Sequence, residues 1–82
     1  MPRIDAAKYQ MVRRAILRAV PHSSGGVPFK VLPAQVKNRL TPSQRRLLGS
    51  VSWYTTVVKL DLEARGEIER VPGARPQRLR RS

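Results

Sequence analysis

The chain has 82 residues, no cysteine and a single histidine. A disulfide framework and a thiolate metal site are therefore excluded, and one histidine leaves zinc without a ligand set. Absence of cysteine suits a reducing compartment, and the cytoplasm is the expected location. Acidic residues are almost as scarce, five against seventeen Lys and Arg, for a formal net charge of +12. Four of the five, Asp61, Glu63, Glu67 and Glu69, fall in one short window, and no carboxylate occurs from Ala6 through Leu60. Long apolar runs are missing too. Nothing approaches the roughly 18 residues needed to span a bilayer. Lys8, Arg13, Arg14 and Arg18 interrupt the N-terminal segment, so no secretory hydrophobic region is expected either. Aromatic residues are limited to one Trp, two Tyr and one Phe, too few for a small domain to spare many from its core.

What remains is a short basic chain with clear punctuation. A chain of this length buries only roughly 60 to 65% of its unfolded surface, which limits it to one core and predicts a single domain over residues 1–82. Asp5 is a good N-cap for a helix over Ala6–Val20, with Tyr9, Val12, Ile16 and Ala19 on one stripe. Pro21 stops it, and His22–Gly26 reads as a loop. Val27-Pro28-Phe29 can form a stub of edge strand. A second helix is expected over about Lys30–Arg39, with Pro33 in its first turn. Thr41-Pro42-Ser43-Gln44 has the spacing of a capping box and opens a short helical turn that Gly49 closes.

Ser50 then caps a third main helix, about Val51–Arg65. Its core stripe is Val51, Tyr54 or Thr55, Val58 and Leu62, beside a second apolar stripe of Trp53, Val57, Leu60 and Ala64. Gly66 ends it. Glu67–Val71 and Gln77–Arg80 are expected to pair as a hairpin around Pro72-Gly73-Ala74-Arg75-Pro76, with Ile68 and Leu79 facing inward and a flexible basic end at residues 80–82. Val12, Ile16, Val36, Leu40, Val58, Leu62 and Ile68 are expected to form one core.

The order helix, short strand, helix, turn, helix, hairpin resembles a winged helix-turn-helix domain, an α+β fold of three main helices and a two-stranded C-terminal wing. Leu62-Glu63-Ala64-Arg65-Gly66-Glu67-Ile68-Glu69-Arg70-Val71 closely resembles the end of the recognition helix and the start of the wing in bacterial winged-helix regulators. The Gly66–Arg80 ending is also similar to that of a family of short bacterial proteins, a resemblance that implies fold but no activity. The insertion Thr41–Gly49 lengthens the turn between the second and third main helices beyond that of the compact motif.

The resemblance implies that the recognition helix presents Ser52, Thr55, Thr56 and Lys59 to the major groove of double-stranded DNA. Arg75, Arg78 and Arg80 on the wing, with Arg81 beyond them, could clamp phosphates or enter the minor groove. Arg13, Arg14, Arg18, Arg45 and Arg46 are further candidates for backbone contact. The expected function is binding of double-stranded DNA by a small bacterial regulatory or nucleoid-associated factor. Two rivals stay open. One is a protein-interaction module, docking a partner or a second copy through the apolar surface of the third helix; the other binds structured RNA or the ribosome. The feature that separates DNA from protein binding is whether Thr56, Lys59 and the wing arginines share one exposed face, and for RNA it is whether Trp53 or Tyr54 is exposed and able to stack on an unpaired base. No enzymatic activity, cofactor, metal or small-molecule ligand is expected. His22 has no nearby acid to orient it, Asp61 and Glu63 point to different sides of a helix, and Gly25-Gly26 lacks the remainder of a phosphate loop.

Overall fold

A computed structural model describes residues 5–82, and the first four residues of the expected domain lie outside the described ones. Four α-helices and a three-stranded antiparallel sheet make an α+β architecture: α1 (Ala6–Ala19), β1 (Val27–Pro28), α2 (Leu32–Asn38), α3 (Pro42–Leu48), α4 (Val51–Ala64), β2 (Ile68–Arg70) and β3 (Arg78–Arg81). A single 3₁₀ turn, Phe29–Val31, leads into α2. No helix among the described residues is long and apolar enough to cross a membrane.

The helix starts follow from side chains that satisfy orphan backbone donors. The Asp5 carboxylate accepts from the Ala7 and Lys8 N–H groups at 2.9 and 3.2 Å, and Ser50 Oγ accepts from Trp53 N–H at 3.1 Å. Thr41 and Gln44 form the reciprocal capping box, with Pro42 at the first helical position. Gly49, at φ 78°, turns the chain from α3 into α4.

α1, α2 and α4 pack against one another, and β2 lies against α4. Val12, Ile16, Val20, Leu32, Val36, Val58, Leu62 and Leu79 are fully buried, and Ile68 and Leu40 nearly so. All seven residues expected to form one core do so. Tyr54 packs half-buried at its edge, while Trp53 is 45% exposed.

The expected edge-strand stub forms at Val27–Pro28 and joins the hairpin in one sheet. The sheet order is β1-β3-β2, with Val27 opposite Leu79 and Pro28 opposite Arg78. Across the hairpin Ile68 faces Arg81, Glu69 faces Arg80 and Arg70 faces Leu79. The basic end is consequently not loose. Arg80 and Arg81 lie within β3, and Ser82 N–H donates to Glu67 O at 3.2 Å. The helix expected at Lys30–Arg39 begins later, because Phe29–Val31 winds as 3₁₀.

Candidate nucleic-acid interface

The predicted set of site residues separates into surface and interior. Ser52 and Thr56 are exposed on α4. Thr55 and Lys59 are not, at 0% and 3% exposure. One turn apart on the buried side of the helix, they face the core rather than solvent. The Lys59 ammonium pairs with Glu63 on the next turn and sits 4.7 Å from the centroid of the Phe29 ring. That cation is committed to the fold. Its i,i+4 spacing to Glu63 was the sequence signal for this pairing.

The hairpin arginines divide similarly. Arg75, at the turn between β2 and β3, is exposed. Arg78 donates from Nε to Gly25 O at 2.7 Å and from Nη2 to Gly26 O at 3.1 Å. Arg80 reaches Ser24 O at 3.2 Å and Glu69 at 3.0 Å. Arg81 donates from Nε to Val20 O at 3.0 Å, and its backbone N–H donates to Pro21 O at 2.8 Å. Three successive basic positions of β3 thus satisfy the carbonyls of the α1–β1 loop, charge-assisted bonds in a segment with few other partners. Gly26 completes the junction: at φ +64°, a Cβ there would lie 2.2 Å from Leu79 O, so the loop meets β3 at a distance only glycine permits. Thr56, Lys59 and the hairpin arginines therefore do not share one exposed face, so the groove-and-wing surface implied by the resemblance is not formed, whereas Trp53 is exposed as the RNA rival requires.

At the C-terminal end of α4 and along the sheet, each carboxylate has a cation. Asp61 accepts from Arg65 Nε at 2.8 Å, Glu63 accepts from Arg70 at 3.2 Å and is ion-paired with Lys59, Glu67 pairs with Arg13, and Glu69 pairs with Arg80. Tyr9 also donates to Asp61. The Tyr9 hydrogen bond, and then Arg65, hold the Asp61 carboxyl below its usual range. Burial, followed by the bond to Asp61, raises the Tyr9 phenol. The Asp61 carboxylate likewise strengthens the hold of Arg65 on its proton.

The opposite end of the molecule has cations without acids. Lys37 near the end of α2, Arg45 and Arg46 on α3, and Ser50, Val51 and Ser52 at the start of α4 line a shallow cleft of about 410 Å³. Arg45 Nε donates to Lys37 O at 3.0 Å, which ties α3 to α2 and leaves the rest of its guanidinium free. Around the corner, Arg14, Arg18 and Arg39 line a groove of about 550 Å³ between α1 and the α2–α3 turn. None of these six cations has a carboxylate partner among the described residues. The amide N–H groups of the first turn of α4 add positive potential in the same place. Sequence reasoning marked Arg45 and Arg46 only as candidates and omitted Lys37 and Arg39. The carboxylate-free run Ala6–Leu60 was the signal that this surface would be unopposed.

Residues 1–79 match the model of DUF6958, a family of unknown function. The chain belongs to that family. No curated protein and no solved structure matches it. The DUF6958 match takes in all four helices, β1, β2 and the first half of β3, so the basic corner and most of the clamped α1–β1 junction lie within it.

Proposed function

We propose that this protein is a winged-helix domain that binds double-stranded DNA through phosphate contacts, with little reading of base sequence. The observation that carries the proposal is the corner of Lys37, Arg45 and Arg46 around the N-terminus of α4, all cations and no acid. α4 occupies the recognition-helix position in the element order, and the sheet order β1-β3-β2 suits a wing packed beside it. Phosphates are met by guanidinium and ammonium groups and by the N–H groups of the first turn, with Ser52 as a further donor.

Little specificity is expected, because α4 exposes only Ser52 and Thr56 as polar groups in its first two turns, beside Trp53. Arg14, Arg18 and Arg39 extend the basic surface around α2, and Arg75 adds one contact from the tip of the hairpin. Arg78 and Arg80 have no part in it, since the loop carbonyls and Glu69 already hold them.

Anisotropy titrations of a random-sequence duplex over a range of salt concentrations test the reading. Each phosphate contact contributes about 0.9 to the slope of log K against log salt, so Arg45→Ala/Arg46→Ala should lower it by about two units for all duplexes alike. Salt-independent binding, or none at low salt, would overturn the proposal.

A further inference from the structure

The groove of about 550 Å³ between α1 and the α2–α3 turn combines an apolar floor with cations on both banks. Ala7, Met11, Arg14 and Arg18 stand four, three and four residues apart, which puts them on one face of α1 over about three turns. Ala15 and Leu40 are buried and form the floor, with Met11 half-buried beside them. Arg39 stands on the other bank. Its Nη1 donates to Gln35 O at 3.2 Å and to Gln35 Oε1 at 3.0 Å, neutral acceptors that hold the side chain and leave its charge unopposed. We infer that this groove docks an acidic amphipathic helix of another protein, with the helix's apolar stripe on the floor and its carboxylates on the arginine banks.

Charge selects the occupant. Arg14, Arg18 and Arg39 call for anions, and this chain has none to give. Asp61, Glu63, Glu67 and Glu69 already have cations, Asp5 caps α1, and the first four residues contain no acid. Neither a second copy nor the chain's own beginning can neutralise the banks, so the carboxylates belong to a different protein.

The floor separates a peptide from nucleic acid. A phosphodiester chain has no apolar surface to lay on Met11, Ala15 and Leu40, and none of the four aromatic residues lines the groove to stack a base. The walls select a helix. No strand edge borders the groove for an extended peptide to join, whereas an apolar channel beside a helix takes anchors at i, i+3 or i+4, and i+7. Arg14 and Arg18 are about 6 Å apart along the axis of α1, the separation of two carboxylates four residues apart on the occupying helix. The inference does not rest on duplex binding.

The probe is a fluorescein-labelled helical peptide of about 15 residues, long enough to hold a helix, with three leucines on one stripe and glutamates on both sides of it. Titration with the full chain, without nucleic acid and at about 0.15 M salt, should give saturable binding on the order of 10 to 100 µM. Replacing the glutamates by glutamine should abolish binding, and replacing the leucines by alanine should weaken it about tenfold. Arg14→Ala/Arg18→Ala should weaken the glutamate peptide about three- to tenfold, whereas Arg45→Ala/Arg46→Ala, which removes the same net charge elsewhere, should change it by less than about twofold. Arg14 and Arg18 are exposed, so the melting curve of their double variant should match the wild type. The methyl resonances of Met11 and Leu40 should shift as the peptide binds. Absence of binding, equal binding of the glutamine or alanine peptide, an equal loss in Arg45→Ala/Arg46→Ala, or the same Met11 and Leu40 shifts with a single-stranded oligonucleotide would each overturn the inference.

Discussion

The two ends of α4 use the same residue types for opposite purposes. At its C-terminal end and along the sheet, Arg13, Lys59, Arg65, Arg70 and Arg80 are each matched to a carboxylate, and Arg78 and Arg81 to loop carbonyls. At its N-terminal end, Lys37, Arg45 and Arg46 gather with no acid beside them. A count of basic residues treats these regions alike. Their surroundings separate them, because a guanidinium bonded to fixed carbonyls is part of the fold, whereas an unopposed one leaves its charge available to a polyanion.

The largest expected effect disturbs the floor that both ends share. Leu62 is fully buried at the centre of the core, and Leu62→Ala should cost about 2 to 5 kcal/mol, read as a lower melting temperature. Loss on that scale would be large for so small a domain and would abolish both regions together. An unchanged melting temperature would mean that α4 does not bury this stripe.

Arg78→Ala sharpens the contrast. It removes two charge-assisted bonds to Gly25 and Gly26 and should cost about 1 to 3 kcal/mol, with the slope of duplex binding against salt unchanged. A stable variant with a reduced slope would move Arg78 into the binding surface.

The smallest effect is at the acid-paired end and depends on pH. Folding lowers the Asp61 pKa, so its contribution is complete above the unfolded value of about 4 and is lost as pH falls through the folded value. Folding raises the Tyr9 pKa, so its contribution holds below about pH 10 and disappears as pH rises through the folded value. Melting temperatures of Asp61→Asn should therefore fall less than those of the wild type between pH 5 and pH 2. Parallel acid curves for the two proteins would remove Asp61 from the account.

Much of the architecture was legible because its signals are local. Asp5, Thr41 with Gln44, and Ser50 cap helices where the spacing placed them, and the inward stripes of Val12 with Ile16 and Val58 with Leu62 were in phase. The stub of edge strand at Val27–Pro28 was legible too, but not its pairing, since its partners Leu79 and Arg78 lie about fifty residues away. The same nonlocality hid the fate of the hairpin arginines, whose partners are carbonyls of the α1–β1 loop. Lys59 illustrates a different limit. The resemblance placed it among the groove-facing residues of the helix, but the Phe29 ring and Glu63 close over its side chain and bury it.

The central claim is that unopposed charge at the α2–α3–α4 corner, and not Arg78 or Arg80 of the hairpin, carries duplex binding. Its most direct test is the salt slope of random-duplex binding for Lys37→Ala/Arg45→Ala/Arg46→Ala beside Arg78→Ala, each first shown to be folded. The account predicts a loss of about 2.7 units for the triple variant and none for Arg78→Ala. An unaltered slope in the triple variant with a reduced one in Arg78→Ala would contradict it.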